Sequence, residues 1–438
     1  MDVLTPMSSN TQVSTGRPTR ARHWVVVFAI TLAILSYIDR VCISQAAPNM
    51  THDLGLSKVQ MGYVFSAFTL AYALFEIPSG WLGDWMGPRR ILMRIVAWWS
   101  FFTAATGFAW NFASLWVTRF LFGAGEAGCF PNLTKAFTTW LPQDERVRAQ
   151  GIMWTFARWG GAFTPPLVVL AFKYFSWRHA FGIFGAMGLV WAFFFYRWFR
   201  DNPRNHPSVN AAELALLEGA DKMASGHGDV PWRRLFTSQS VWLLWGQYFF
   251  TSYPWYFYIT WLPTYLQECR ELDSATSANY AIFPLLFGGF GALLSGFLSP
   301  RIARWTGNLR LTRRLMGTTG MLGGSVFLWL AVQFHDPLWT MLAMGMASFS
   351  NDLMLPCAWG ACMDVGGKYT GTLSGSMNMM GNLGGFVAPI TGGYILHLTG
   401  GNWNAYLYSM SAVYVLAALC WLPMDPVTPL DQSETAHA

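Results

Sequence analysis

Apolar residues run along the chain in stretches of about twenty, the length needed to cross a bilayer core, separated by short polar or Gly/Pro-containing breaks. The pattern predicts helix cores near 24–47, 60–82, 91–109, 112–133, 149–172, 179–199, 240–266, 276–299, 315–334, 338–361, 371–398 and 403–424. One long polar interval, 200–239, holds Asn202, Pro203, an amphipathic acidic stretch and the turn segment 226–229. The predicted organisation is a tail 1–23, a six-helix half 24–199, a cytosolic linker 200–239, a second six-helix half 240–424 and a tail 425–438. The fold class is an all-α membrane protein with twelve transmembrane helices in two pseudo-symmetric halves.

Composition supports this and excludes a soluble enzyme. The 28 basic and 22 acidic residues make 11% of the chain, where a soluble domain carries about 25%. The hydrophobic share is 53%, and 24 residues are Trp. Basic residues gather on one side of the predicted membrane, 21 of the 28 Lys and Arg against four on the other, and cytoplasmic loops collect such residues. Both termini are therefore expected in the cytoplasm, with the chain multi-pass in the cell's inner (plasma) membrane and the lipid bilayer as its surroundings. The net charge of +6 reflects this topology, so a nucleic acid partner is not expected. The first apolar run follows a polar tail and lacks a small-residue cleavage site before Asp39, so it reads as an uncleaved helix. The six Cys are scattered and show no C-x-x-C pair or His at ligand spacing, which implies no disulfide framework, metal or cofactor.

The halves echo one another. Ser79, Gly80 and Leu82 after the second run correspond to Ser295, Gly296 and Leu298 after the eighth; Gly160, Gly161 and Pro165 correspond to Gly384, Gly385 and Pro389. Carriers built from such repeats hold substrate at the repeat interface.

Ionisable residues inside a membrane cost at least ~2.5 kcal/mol each and mark function. Asp39 and Arg40 lie in the first run, Arg119 and Glu126 in the fourth, and Arg158 in the fifth; Glu76 and Asp352 read as shallower. A rise of ~1.5 Å per residue puts Asp39 and Arg119 at one level and Glu126 near Arg158, so the expected pairs are Asp39 with Arg119 and Glu126 with Arg158. Arg40 is left without a partner and is the charge offered to a ligand. Three Arg against two carboxylates leave a surplus positive charge, which implies a small organic anion, with protons taken up at the carboxylates as the coupling device.

Gly80, Leu82, Asp84, Gly87, Arg89 and Arg90 fit the loop signature G-x-L-x-D-x-x-G-x-[RK]-[RK]. Here the sequence resembles the major facilitator superfamily, and the loop is expected to take part in gating. Trp85 departs from the Arg that many members carry. Tyr37, Asp39 and Arg40 in the first run, Arg119 through Glu126 with Pro131 in the fourth, and Asn378, Asn382 and Pro389 in the eleventh resemble the anion:cation symporter branch. That branch includes bacterial sugar-acid carriers and the sialin and vesicular glutamate carriers. The resemblance implies Arg40 as the anion anchor, Asp39 and Glu126 as proton-coupling groups beside Arg119, and Tyr37, Tyr72 and Asn378 as substrate contacts. Arg158 departs from the Gln of the sugar-acid carriers, which fits either a dicarboxylate or a partner for Glu126. The aromatic seventh run around Pro254, and Trp359 in the tenth, are either substrate contacts or packing.

The expected function is proton-coupled import of an organic anion, a hydroxylated sugar acid of hexuronate, galactonate or glucarate type, by alternating access. The alternatives are a carrier of an aromatic or dicarboxylic acid and a non-transporting anion sensor. Neither H-E-x-x-H, G-x-S-x-G nor a phosphate loop is present, so no enzyme is expected. Each chain should hold a complete pathway and work as a monomer.

Overall fold

The computed structural model describes residues 17–56, 58–224 and 230–430; the described residues are helical and contain no strand. The turn segment 226–229 and most of both tails lie outside the described residues. In chain order the helices are α1 (Ala21–Leu54), α2 (Lys58–Met86), α3 (Pro88–Thr106), α4 (Phe112–Glu126), α5 (Cys129–Trp140), α6 (Gln143–Tyr174), α7 (Trp177–Trp198), α8 (Ala211–Ala224), α9 (Trp232–Thr237), α10 (Gln239–Thr260), α11 (Leu262–Glu268), α12 (Ser274–Tyr280), α13 (Ile282–Thr306), α14 (Leu309–Gln333), α15 (Pro337–Gly366), α16 (Thr370–Leu398) and α17 (Trp403–Trp421). Four of the described helices are long and apolar enough to cross a membrane by length and composition alone: the first 23 residues of α1, and α7, α13 and α14.

The fourth predicted run is two helices, not one. Ala127 is extended at ψ 136° and Gly128 adopts φ +83°, a region that only glycine enters freely. A Cβ on Gly128 would also lie 2.3 Å from the Ser79 side chain. The seventh run breaks at Trp261, seven residues beyond Pro254, which lies inside an unbroken α10. Polar residues fix other helix starts, as where Asn111 and Ser114 form a reciprocal capping box on α4 and Asp336 accepts from two N–H groups of α15, satisfying donors that a helix leaves open.

Within the first six runs α1 packs on α6, α2 on α4 and α3 on α7; within the last six α13 and α14 pack on α15, and α10 on α16. The two sets meet where α6 runs against α13 and α2 against α16. Glycine permits both approaches: a Cβ on Gly80 would lie 2.3 Å from the Gly371 carbonyl oxygen, and one on Gly151 would lie 2.6 Å from that of Ala292. Echoed positions do matching work, since Gly161 makes room for Tyr37 of α1 as Gly385 does for Tyr256 of α10.

The linker helix α8 lies against α5 and the turn Gly367–Tyr369. Its buried Glu213 accepts from the backbone N–H groups of Ala21 (3.2 Å) and Arg22 (3.1 Å). A carboxylate there complements the positive end of α1.

Candidate functional site

Between the two sets of helices lies a cavity of about 90 Å³ whose wall includes Arg40, Tyr72, Arg158 and Asn378, four of the residues singled out from sequence. Tyr37 touches both guanidinium groups, with Arg40 5.7 Å from its ring centroid and Arg158 3.4 Å from its hydroxyl. Trp359 is fully buried and absent from the wall. It donates to the Tyr248 hydroxyl at 3.2 Å and so backs a residue that does line the cavity.

Arg40 has a counter-charge, contrary to expectation. Its Nε donates to Glu126 Oε1 at 2.8 Å, and the Ser36 hydroxyl donates to the same oxygen. The break after Glu126 ends α4 at this level, so the carboxylate meets α1. Arg40 Nη2 is buried without a hydrogen-bond partner. The guanidinium lies 4.6 Å over the Tyr72 ring, an apolar setting that strengthens its pull on an anion.

The second expected pair is also absent. Arg158 crosses from α6 to α15, where Nε and Nη2 grip Asp352 at 2.7 and 3.0 Å. Arg158 and Glu126 face different partners because α6 packs along α13 and α15, presenting its middle to the second half. Asp39 and Arg119 are buried neighbours, yet among the described residues neither has an ion pair within 4 Å. Asp39 Oδ1 and Arg119 Nε and Nη1 have no hydrogen-bond partner. α1 meets α4 through Ser36 and Arg40 on Glu126, while Arg119 lies 4.1 Å over Phe122.

Two carboxylates are more central than the sequence suggested. Glu76 is fully buried and accepts from Asn378 Nδ2 at 2.6 Å across the two halves, and Asp352 is fully buried in its Arg158 pair. The middle of the protein thus holds Arg40, Arg119 and Arg158 against Asp39, Glu76, Glu126 and Asp352. With every group ionised the balance is one negative charge, which replaces the expected positive surplus.

The signature loop joins the two sets of helices away from the cavity wall. Asp84 accepts from the N–H groups of Gly371 (2.9 Å) and Thr372 (2.6 Å) and from the Thr372 hydroxyl (2.7 Å), and pairs with Lys135 at 3.2 Å. Lys135 also donates to the Lys368 carbonyl. Gly87 adopts φ +85°; the Arg89 N–H donates to Asp201 at 2.8 Å, while Arg90 is exposed. Trp85 points outward and stacks on Trp81. Nearby, Asp364 pairs with Arg146 (3.3 Å) and with Arg313. Among the described residues, every hydrogen bond or ion pair joining the two halves falls between the level of Trp159 and the signature loop.

Residues 29–389 match the sequence profile of the Major Facilitator Superfamily. The chain belongs to that superfamily. Its members are transporters of multi-pass membrane build, not enzymes. This major facilitator is 36% identical to the probable sulfoacetate transporter SauU of Cupriavidus necator, with 95% of this chain and 96% of that protein covered. It is 30% identical to the probable galactarate/D-glucarate transporter GudP of Escherichia coli K12, over 95% and 96%. With the D-galactonate transporter of Escherichia coli O6:H1 it shares 28% identity, over 94% and 97%. Among solved structures, the proton:xylose symporter XylE matches with a TM-score of 0.74 at 13% identity, over 95% of this chain and 99% of that one. The human organic anion transporter MFSD10 matches with a TM-score of 0.72 at 15% identity, over 91% and 99%. Both share the major facilitator fold.

In this facilitator the aromatic seventh run serves the cavity: Tyr248, Trp255 and Tyr256 line it, with Thr251 and Ser252 between them, while Trp242 and Ile259 on the same helix are exposed. Asn382, also in the wall, accepts from the Tyr256 hydroxyl at 3.0 Å. Ser374, Ser376 and Gln247 satisfy backbone carbonyls within their own helices and lie away from it. The cavity therefore presents two guanidinium groups, amides and hydroxyls within an aromatic frame.

Proposed function

We propose that this facilitator imports a small organic anion of the sugar-acid or sulfonate kind together with protons, by alternating access between halves 24–199 and 240–424. The observation that carries the reading is the Arg40–Glu126 pair beside the cavity. An anion that takes Arg40 displaces Glu126, and a buried carboxylate deprived of its counter-charge is relieved by a proton. With every group ionised the site carries one net negative charge, so an anion arriving without protons would deepen an unfavourable balance in low dielectric. Proton uptake at Glu126, with Asp39 behind it, removes that cost. Loading and protonation favour each other, and the loaded carrier reorients. The sulfoacetate, galactarate/glucarate and galactonate named for its relatives support an organic anion as cargo, and the amides and hydroxyls of the wall suit a hydroxylated one. A single chain frames the cavity, which supports a functional monomer, and the basic bias of the loops at the Asp84 end supports placing that end and both termini in the cytoplasm.

The test is uptake of labelled acids into proteoliposomes with an inward proton gradient. Arg40→Ala should abolish uptake and exchange alike. Glu126→Gln should abolish gradient-driven accumulation yet retain exchange between labelled and unlabelled cargo. Gradient-driven accumulation that survives Glu126→Gln and Asp39→Asn together would rule the coupling out.

A further inference from the structure

Arg158, which lines the cavity from the first half, is matched by Asp352 of the second half just behind the wall residue Asn351. The pair is built with care. Asp352 uses both oxygens on Arg158, and Asn351 Nδ2 donates to Oδ1 at 2.9 Å. Gly288 leaves the space it needs, since a Cβ there would lie 2.8 Å from Asp352 Oδ2. Trp255 stacks 3.5 Å from the guanidinium. Yet Arg158 lines the cavity and shares Tyr37 with Arg40. Two guanidinium groups, each held by its own carboxylate, thus meet at one tyrosine.

We propose that Asp352 is an internal stand-in for cargo: it occupies Arg158 while the carrier is empty and yields it to the second anionic end of a short dianion whose first end binds Arg40. This rests on the Arg40 reading above and names the cargo class of that site. The physical reason is the empty carrier. A buried guanidinium without a counter-charge is severely penalised, so a site with two anion anchors could reorient only when loaded and would be confined to exchange. Asp352 keeps the unloaded site neutral at this anchor and permits net uptake. A bidentate carboxylate also sets the standard that cargo must meet, because only another planar or tripodal oxyanion can replace it on the guanidinium fork.

The experiment uses the full chain in proteoliposomes with a proton gradient, with malonate and sulfoacetate as dianions and glycolate and galactonate as monoanions. The unaltered chain should prefer the dianions. Asp352→Asn should lower net dianion uptake about 10- to 100-fold while exchange against preloaded dianion persists. The double variant Arg158→Gln/Asp352→Asn leaves no unpaired charge, which protects folding, and its dianion-to-monoanion ratio should fall about 10- to 100-fold. Dianion, but not monoanion, should change the Trp255 fluorescence of the purified unaltered protein, read as the difference from Trp255→Phe.

A monoanion preference in the unaltered chain, an unchanged ratio in the double variant, or equal loss of uptake and exchange in Asp352→Asn each overturns the proposal. Should Arg40→Ala abolish uptake while the double variant keeps its ratio, only this inference fails. Intact uptake of every acid in Arg40→Ala would remove the transport reading as well.

Discussion

Asp84 accepts a hydrogen bond from the backbone N–H of Thr372 at 2.6 Å, so a carboxylate near the end of α2 sits on the first turn of α16. The contact joins the two halves through a helix terminus, where a negative charge is stabilising. Asp84→Asn keeps an acceptor and loses the charge, a loss of about 1 kcal/mol. A two-state equilibrium then shifts about fivefold toward opening at that end. Thiol labelling of Ser374→Cys, buried in the closed form, should speed up by a similar factor.

The Asp364 cluster predicts a larger effect. Its carboxylate serves both Arg146 and Arg313, and Arg313 is fully buried. Asp364→Ala leaves these guanidinium groups without it, and removal of one member of a buried ion pair costs about 3–5 kcal/mol. Thermal unfolding of the purified protein should show a marked loss of stability. Asp364→Glu should recover part of it.

Close backbone approach predicts a steric lock. Gly80→Val would drive a side chain into Gly371 and hold the halves apart at the Asp84 end. Transport should fall more than tenfold while the protein remains in the membrane. Gly393→Ala is the control, because a Cβ there meets nothing within 4 Å, and it should leave transport within about twofold.

The linker carries a pH-dependent contact. Burial between Trp140 and Trp198 holds His206 below the ordinary imidazole range, with nearby Arg200 acting in the same direction. The unfolded chain then binds the proton more readily, so stability from this contact is full above the unfolded value of about 6.5 and declines as pH falls through the interval down to the folded one. His206→Phe should flatten that decline in thermal unfolding recorded between pH 7.5 and 5 (chosen to span about one unit either side of the reference).

The helices and the anchor residues were legible because an ionisable group in an apolar run stands out without any knowledge of packing. Arg40 and Arg158 stood out for that reason, Tyr72 and Asn378 through the family resemblance, and all four line the cavity. Their partners were not legible. Counting rise along isolated helices gave depth but not azimuth, and Glu126 on α4 faces Arg40 of α1 rather than Arg158 of α6. Asp352 lies 194 residues from Arg158 and Asn378 302 residues from Glu76, so both contacts depend on how the two halves dock. The signal for Asp352 and Glu76 was present as two further charges in apolar runs. Treating every such charge as equally deep would have placed four carboxylates rather than two beside the three Arg.

The strap between the halves has a role beyond connection. Since α8 leans on α5 from one half and on Gly367–Tyr369 from the other, and Glu213 ties the start of α1 to it, any parting of the halves there must first loosen this clasp. The pace of the cycle is thereby exposed to events at a surface remote from the cargo, where a bound ion or a changed side chain could retune the carrier without touching what it selects.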